Sequence, residues 1–154
     1  MSVTRSYFGA IVNGGNNNFE NCDFSGNSLA LLIDNSAGQS RNSSHGTFYA
    51  CSFNHSGGNS GTAIRILGAN NGEIFTGAQI FYGSVEIDQS KGVRFIGANM
   101  GRMVPITVTN SSAVTFSDCA LFSPSASPLT ESGNTALVFS NCHCLDGTAY
   151  QPLG

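Results

Sequence analysis

FENCDF, residues 19–24, returns along the chain as FYACSF (48–53), FTGAQI (75–80), FIGANM (95–100), FSDCAL (116–121) and FSNCHC (139–144). Each copy reads Phe, two residues, Cys or Ala, one residue, then an apolar residue. Successive phenylalanines, Phe19, Phe48, Phe75, Phe95, Phe116 and Phe139, are 29, 27, 20, 21 and 23 residues apart. Repetition at such a period is the sequence mark of a solenoid, in which each unit buries its apolar face only by stacking on its neighbours.

Reading backwards from each Phe uncovers a second pattern: GAIVNGG at Gly9, LLIDNSA at Leu31, IRILGAN at Ile64, VEIDQSK at Val85 and ITVTNSS at Ile106. These are short apolar-x-apolar strands followed by polar turns. Alternation at period two buries Ile64 and Ile66, Val85 and Ile87, Ile106 and Val108, and turns their neighbours outward. A unit is therefore a strand, an Asn/Gln/Ser turn, a second strand ending near Phe, a tight corner and a third strand. The predicted fold is all-β, a right-handed parallel β-helix of about six coils of three short strands. Residues 1–7 are read as a lead-in, 8–146 as the β-helix domain and 147–154 as a C-terminal tail. Leucine-rich repeats share the period, but their Leu-x-x-Leu-x-Leu spacing and any helix-forming segment are missing.

The corner predicts its own residues. Two positions after each Phe stand Asn21, Ala50, Gly77, Gly97, Asp118 and Asn141. Gly, Asn and Asp accept the left-handed backbone that a sharp bend demands, so Ala50 is the exception. Asn13, Asn35, Gln89 and Asn110 follow the first strand, and are expected to stack as an amide ladder at the strand spacing of about 4.8 Å.

The whole composition fits an uncharged β-rich chain. Of 154 residues 10% are charged, 40% are hydrophobic, 19 are Gly and 11 are Phe, which is enough apolar surface to fold. A net charge of −3, with six scattered Lys and Arg, argues against nucleic acid. The longest apolar run, Leu29 to Ile33, is far short of the roughly 20 residues that span a bilayer. Cys22, Cys51, Cys119 and Cys142 share one slot of the repeat and Cys144 lies two residues on. They read as small core residues with free thiols, in a reducing compartment, rather than as a disulfide frame.

The repeated NCxF, the Asn-bearing turn and the aliphatic stacks resemble the right-handed parallel β-helix of pectate-lyase-like proteins over roughly residues 8 to 146. That family includes polysaccharide lyases, glycoside hydrolases, adhesins and bacteriophage tailspikes, so the resemblance fixes fold before function. The tailspike or tail-fibre members imply a module of a virion attachment protein, made in the host cytoplasm and carried on the virion tail. They also imply a side-by-side homotrimer whose loops meet a host-surface polysaccharide. Alternatives are a fragment of a polysaccharide lyase or glycosidase, and an extracellular adhesin stalk that would be an elongated monomer. With few residues before the first coil and no capping helix, a piece of a larger protein is expected. The tail is expected to fold over the last coil through Tyr150 and Leu153.

Candidate chemistry is sparse. Ala10, Leu32, Arg65, Glu86 and Thr107 fall in equal outward positions of successive coils, which places Arg65 beside Glu86 as a surface ion pair or a site. Asp34 and Asp88 share a slot two coils apart with Leu67 between, a separation of roughly 9 to 10 Å, at the upper end for inverting glycosidase carboxylates. Asp34, Asp88 and Glu86 are thus the catalytic candidates, although Asp also begins turns simply by capping backbone. His45, His55 and His143 are dispersed, and no Gly-x-Ser-x-Gly elbow, phosphate loop or metal motif occurs, so no cofactor or metal is expected. Tyr49 and Tyr82 are the carbohydrate candidates, aromatic faces that suit sugar rings as well as they suit packing.

Longer connections run from Asp34 to Gly46, Asn54 to Gly61 and Phe122 to Thr135, the last two leaving the same side of the solenoid. They line a binding surface or are insertions tolerated at corners. Just outside the third strand come Ser25, Asn54, Phe81, Gly101, Phe122 and Leu145. With Ile96 and Tyr49 they leave apolar groups facing outward, to be covered by loops or by another subunit, with Phe81, Phe122, Leu145 and Ile96 as the expected contact. Asn42, Asn54 and Asn110 begin Asn-x-Ser sequons, a match expected by chance in so Asn- and Ser-rich a chain.

Overall fold

The computed structural model describes residues 1–2, 6–13, 15–35, 44–57, 60–101, 104–123 and 128–151. They form an all-parallel β-solenoid of about five turns with essentially no helix. The first sheet stacks β1 (Phe8–Val12), β3 (Leu29–Asp34), β5 (Thr62–Leu67), β7 (Ser84–Asp88), β10 (Ile106–Thr109) and β13 (Leu129–Ser132). The second stacks β2 (Gly15–Glu20), β4 (Ser44–Tyr49), β6 (Ile74–Thr76), β8 (Arg94–Ile96), β11 (Thr115–Ser117) and β14 (Val138–Ser140). The third is built from β9 (Asn99–Met100), β12 (Ala120–Leu121) and β15 (His143–Cys144). Single parallel bridges at Ser2, Asp23, Ser52 and Gln79 continue this column to the other end.

The Phe motif decides the core because each ring lies on the next. Phe19, Phe48, Phe75, Phe95, Phe116 and Phe139 form one file with centroid spacings of 4.5 to 5.1 Å and interplanar angles of 5 to 9°. A stacking distance close to the strand spacing lets side chain and backbone share one repeat. Phe24 and Phe53 make a shorter second file that meets Phe19, Phe48 and Phe75 edge to face. Opposite them the first sheet contributes buried Leu31, Ile33, Ile64, Ile66, Val85, Ile87, Ile106 and Val108.

All six corner residues have positive φ, from 51° at Ala50 to 63° at Gly77. Ala50 is therefore no exception in conformation, only in residue type. The turns between the first and second sheets use the same device, at Gly72, Gly92, Ala113 and Ala136.

Three expectations are corrected. In the first rung Ile11, not Ala10, pairs with Leu32 and faces outward, while Ala10 pairs with the buried Leu31. Phe122 to Thr135 is not one open connection, since Leu129–Ser132 lies in register on β10. The amide ladder is not formed: Gly68 takes the third rung, and Gln89 and Asn110 both turn their amides to Asp88. The ladder that does exist lies one residue on and is buried. Ala69 N–H donates to Ser90 Oγ, Ser90 N–H to Ser111 Oγ, and Ser111 N–H to Asn134 Oδ1, at 3.0 to 3.1 Å. Each rung thereby satisfies the unpaired backbone donor of the one before it, which a buried turn requires.

The tail covers the C-terminal end. His143 and Ala149 make an antiparallel bridge, and Tyr150 is buried with its ring 5.4 Å from that of Phe139. Leu153 lies outside the described residues.

Candidate functional site

Where the chain leaves the third sheet, three successive corners make a shallow groove of about 410 Å³ lined by Ser25, Gly26, Asn54, His55, Ser56 and Tyr82. That volume is at the lower end of small-ligand sites. The walls are tied rung to rung: Gly26 N–H donates to Asn54 O, His55 N–H to Tyr82 O, and Ser56 N–H to Asn27 O. Beneath them Asn27 is fully buried, donating through Nδ2 to Phe24 O and accepting from Ser6 N–H.

Asn54 works as a strut. Its Nδ2 donates to Ser25 Oγ at 2.8 Å and its Oδ1 accepts from Phe81 N–H at 2.6 Å. The amide of this sequon is thus engaged on both sides. His55 Nδ1 accepts from Gly57 N–H at 2.9 Å, which orients the ring. The ring sits against Gly57 and Gly61, positions where a Cβ would strike it, and Gly83 makes room for the His55 Cβ. Serine hydroxyls, the imidazole and a phenol are neutral donors and acceptors beside an aromatic face, a set that suits a hydroxyl-rich, uncharged ligand.

The two tyrosines proposed from sequence lie apart. Tyr82 lines the groove; Tyr49 is exposed at the end of β4, on the outer face of the second sheet. His55, Asn54, Ser25 and Ser56 went unnoticed as a group. The signal was the shared slot of Ser25 and Asn54, followed by a histidine in the glycine-rich NHSGG.

Glu86 and Asp88 are held as anions. Glu86 accepts from Thr62 and Ser84 through Oε1, at 2.5 and 3.1 Å, and from Arg65 Nε through Oε2 at 2.8 Å. Burial pushes this carboxyl up, but the hydrogen bonds from Thr62, Arg65 and Ser84 and the charge of Arg65 bring it below its ordinary value. Asp88 is lowered too, mainly by the Thr109 hydroxyl 2.7 Å away, with help from Asn110 and Gln89. Asp34 and Asp88 do share a register position with Leu67 between them. A general acid needs a raised value, and neither Glu86 nor Asp88 has one. Among the described residues no three His, Cys, Asp or Glu side chains converge as a metal site.

Large apolar groups are exposed in both halves of the chain, Met1, Tyr7, Ile11 and Tyr49 in the first and four more in the second. Phe122 is 46% exposed, Leu145 52%, Ile96 36% and Val138 44%, the last unforeseen from sequence. Phe81 is half-buried, its ring lying over Gly101, where a Cβ would come within 2.9 Å. Among the described residues no helix is long and apolar enough to cross a membrane.

Among the described residues the geometry defines a parallel β-solenoid that carries a lateral groove lined by uncharged side chains and exposes Phe122 and Leu145 at its last rungs. No family model, curated protein or solved structure matches the chain.

Proposed function

We propose that the chain is a binding and structural module of a virion attachment protein, similar to a tailspike or tail fibre, that stands as a homotrimer on the virion tail and contacts a host-surface polysaccharide. The observation that carries this reading is the neutral groove of Tyr82, His55, Asn54, Ser25 and Ser56, set on rigid corners of the solenoid. Sugars are recognised by stacking on an aromatic face and by hydroxyl hydrogen bonds, and this groove offers both without charge. The exposed Phe122 and Leu145, on the last rungs of the column whose first rungs carry the groove, support a subunit contact.

Titrating the chain with capsular, O-antigen and pectic oligosaccharides while following the Tyr82 and His55 resonances tests the reading. Saturable binding to one of them, weakened at least tenfold by Tyr82→Ala, supports it. No binding to any, or binding indifferent to Tyr82→Ala and His55→Ala, overturns it.

The common register of Asp34 and Asp88 favours a second reading, a polysaccharide lyase or glycosidase. It requires new reducing ends or unsaturated uronates from the same polysaccharides, lost in Asp88→Asn.

A further inference from the structure

The inward slot three residues after each stacked Phe holds Cys22, Cys51, Ala78, Ala98, Cys119 and Cys142 in order of rungs. All five cysteines of the chain are free thiols. The slot therefore contains two adjacent cysteine pairs, one at each end of the solenoid, separated by two alanine rungs. Neighbouring rungs hold the paired backbones about 4.8 Å apart, inside the Cα separation of 4.4 to 6.8 Å that a disulfide spans. Register is fixed on both sides of each pair: Ser52 N–H donates to Cys22 O and His143 N–H to Cys119 O.

The sulfurs that cross between rungs all tilt the same way, Cys119 Sγ to Phe95 O at 3.5 Å among them. Cys51 Sγ reaches across its rung to Phe19 O at 3.6 Å, and Cys142 Sγ reaches to Phe116 O at 3.4 Å, in each case a carbonyl of the partner cysteine's own rung. One member of each pair lies nearer the surface, Cys22 half-buried and Cys142 just short of full burial.

We propose that Cys22 with Cys51, and Cys119 with Cys142, are oxidative staples that close as inter-rung disulfides when the folded chain meets a peroxide. In the second pair the neighbouring Cys119 thiol lowers Cys142, while Cys142 and burial raise Cys119, so Cys142 is the attacking thiolate. Cys142 sulfur attacks one peroxide oxygen, the O–O bond breaks, and one water leaves behind a sulfenic acid. Cys119 sulfur then displaces the sulfenic oxygen as a second water. Two thiols give up two electrons and two protons in all, and hydrogen peroxide is reduced to two waters. Cys144 has no partner in the slot and stays a thiol.

The test uses the full chain, folded, with hydrogen peroxide, then alkylation under denaturing conditions and mass spectrometry. Cleavage after Arg41 and Glu131 separates the members of each pair. The expected result is a mass lower by about 4 Da before alkylation, two hydrogens for each of two disulfides, and after it linked peptides carrying Cys22–Cys51 and Cys119–Cys142 with Cys144 alkylated. Cys119→Ala, which places in this rung the residue already present at 78 and 98, is expected to lose the second link and keep the first. Recovery of all five cysteines as separate alkylated thiols, a Cys142–Cys144 link, or links that form only after unfolding, overturns the proposal.

Discussion

Ala50 adopts φ of 51° at a corner where its counterparts are Asn21, Gly77, Gly97, Asp118 and Asn141. A left-handed conformation costs an ordinary L-residue roughly 1 to 2 kcal/mol, part of which glycine gives back as chain entropy. Ala50→Gly is therefore expected to stabilise the chain by about 0.5 to 1 kcal/mol in urea unfolding. Glu86 gives the opposite kind of test. Its folded carboxyl lies below the ordinary value of 4.5, so its contribution is complete above that pH and is lost as pH falls through the lower folded value. Glu86→Gln should lower stability at pH 7 by under about 1 kcal/mol, since the Arg65 pair is partly solvated, and should flatten the acid limb of the stability profile.

Within one element the stacked Phe file dominates. Phe95 is fully buried between Phe75 and Phe116, so Phe95→Ala is expected to cost about 3 to 5 kcal/mol; Phe19→Ala, at the open end of the file, should cost less in the same denaturation series. This file was legible in sequence because a large residue in a fixed slot, followed by a forced left-handed corner, leaves a repeat that spacing alone reveals. The first sheet was less so. Leu129–Ser132 escaped notice because in LTES the second inward position of the rung, aliphatic in every rung before it, is the exposed Glu131. The Ala10 slot was misread because GAIV holds three apolar residues in a row, and periodicity cannot choose between two registers there. Glu73 was invisible for a different reason. NGEIF reads as a polar turn, yet the Glu73 side chain is buried and fills the space that Gly46 leaves on the neighbouring rung. The groove was hardest to foresee, because its residues come from three corners whose alignment depends on exact rung lengths.

At the scale of the molecule the described ends differ. Tyr150 closes the C-terminal end over Phe139, and burial pushes its phenol up to about 12. Tyr150→Ala should cost about 2 kcal/mol or more and speed hydrogen exchange at Cys142 and Cys144, leaving the central rungs protected. Along the side that follows the third sheet the rungs differ as well, with the groove formed by the first ones and the exposed Phe122 and Leu145 on the last. Assembly through those two side chains is the part of the proposed function that a single number decides. Light scattering at micromolar concentration should give three times the 16.0 kDa chain mass, falling to one chain in Phe122→Ser/Leu145→Ser with the β-rich circular dichroism unchanged. A single-chain mass across the concentration range, or a trimer indifferent to both substitutions, contradicts it.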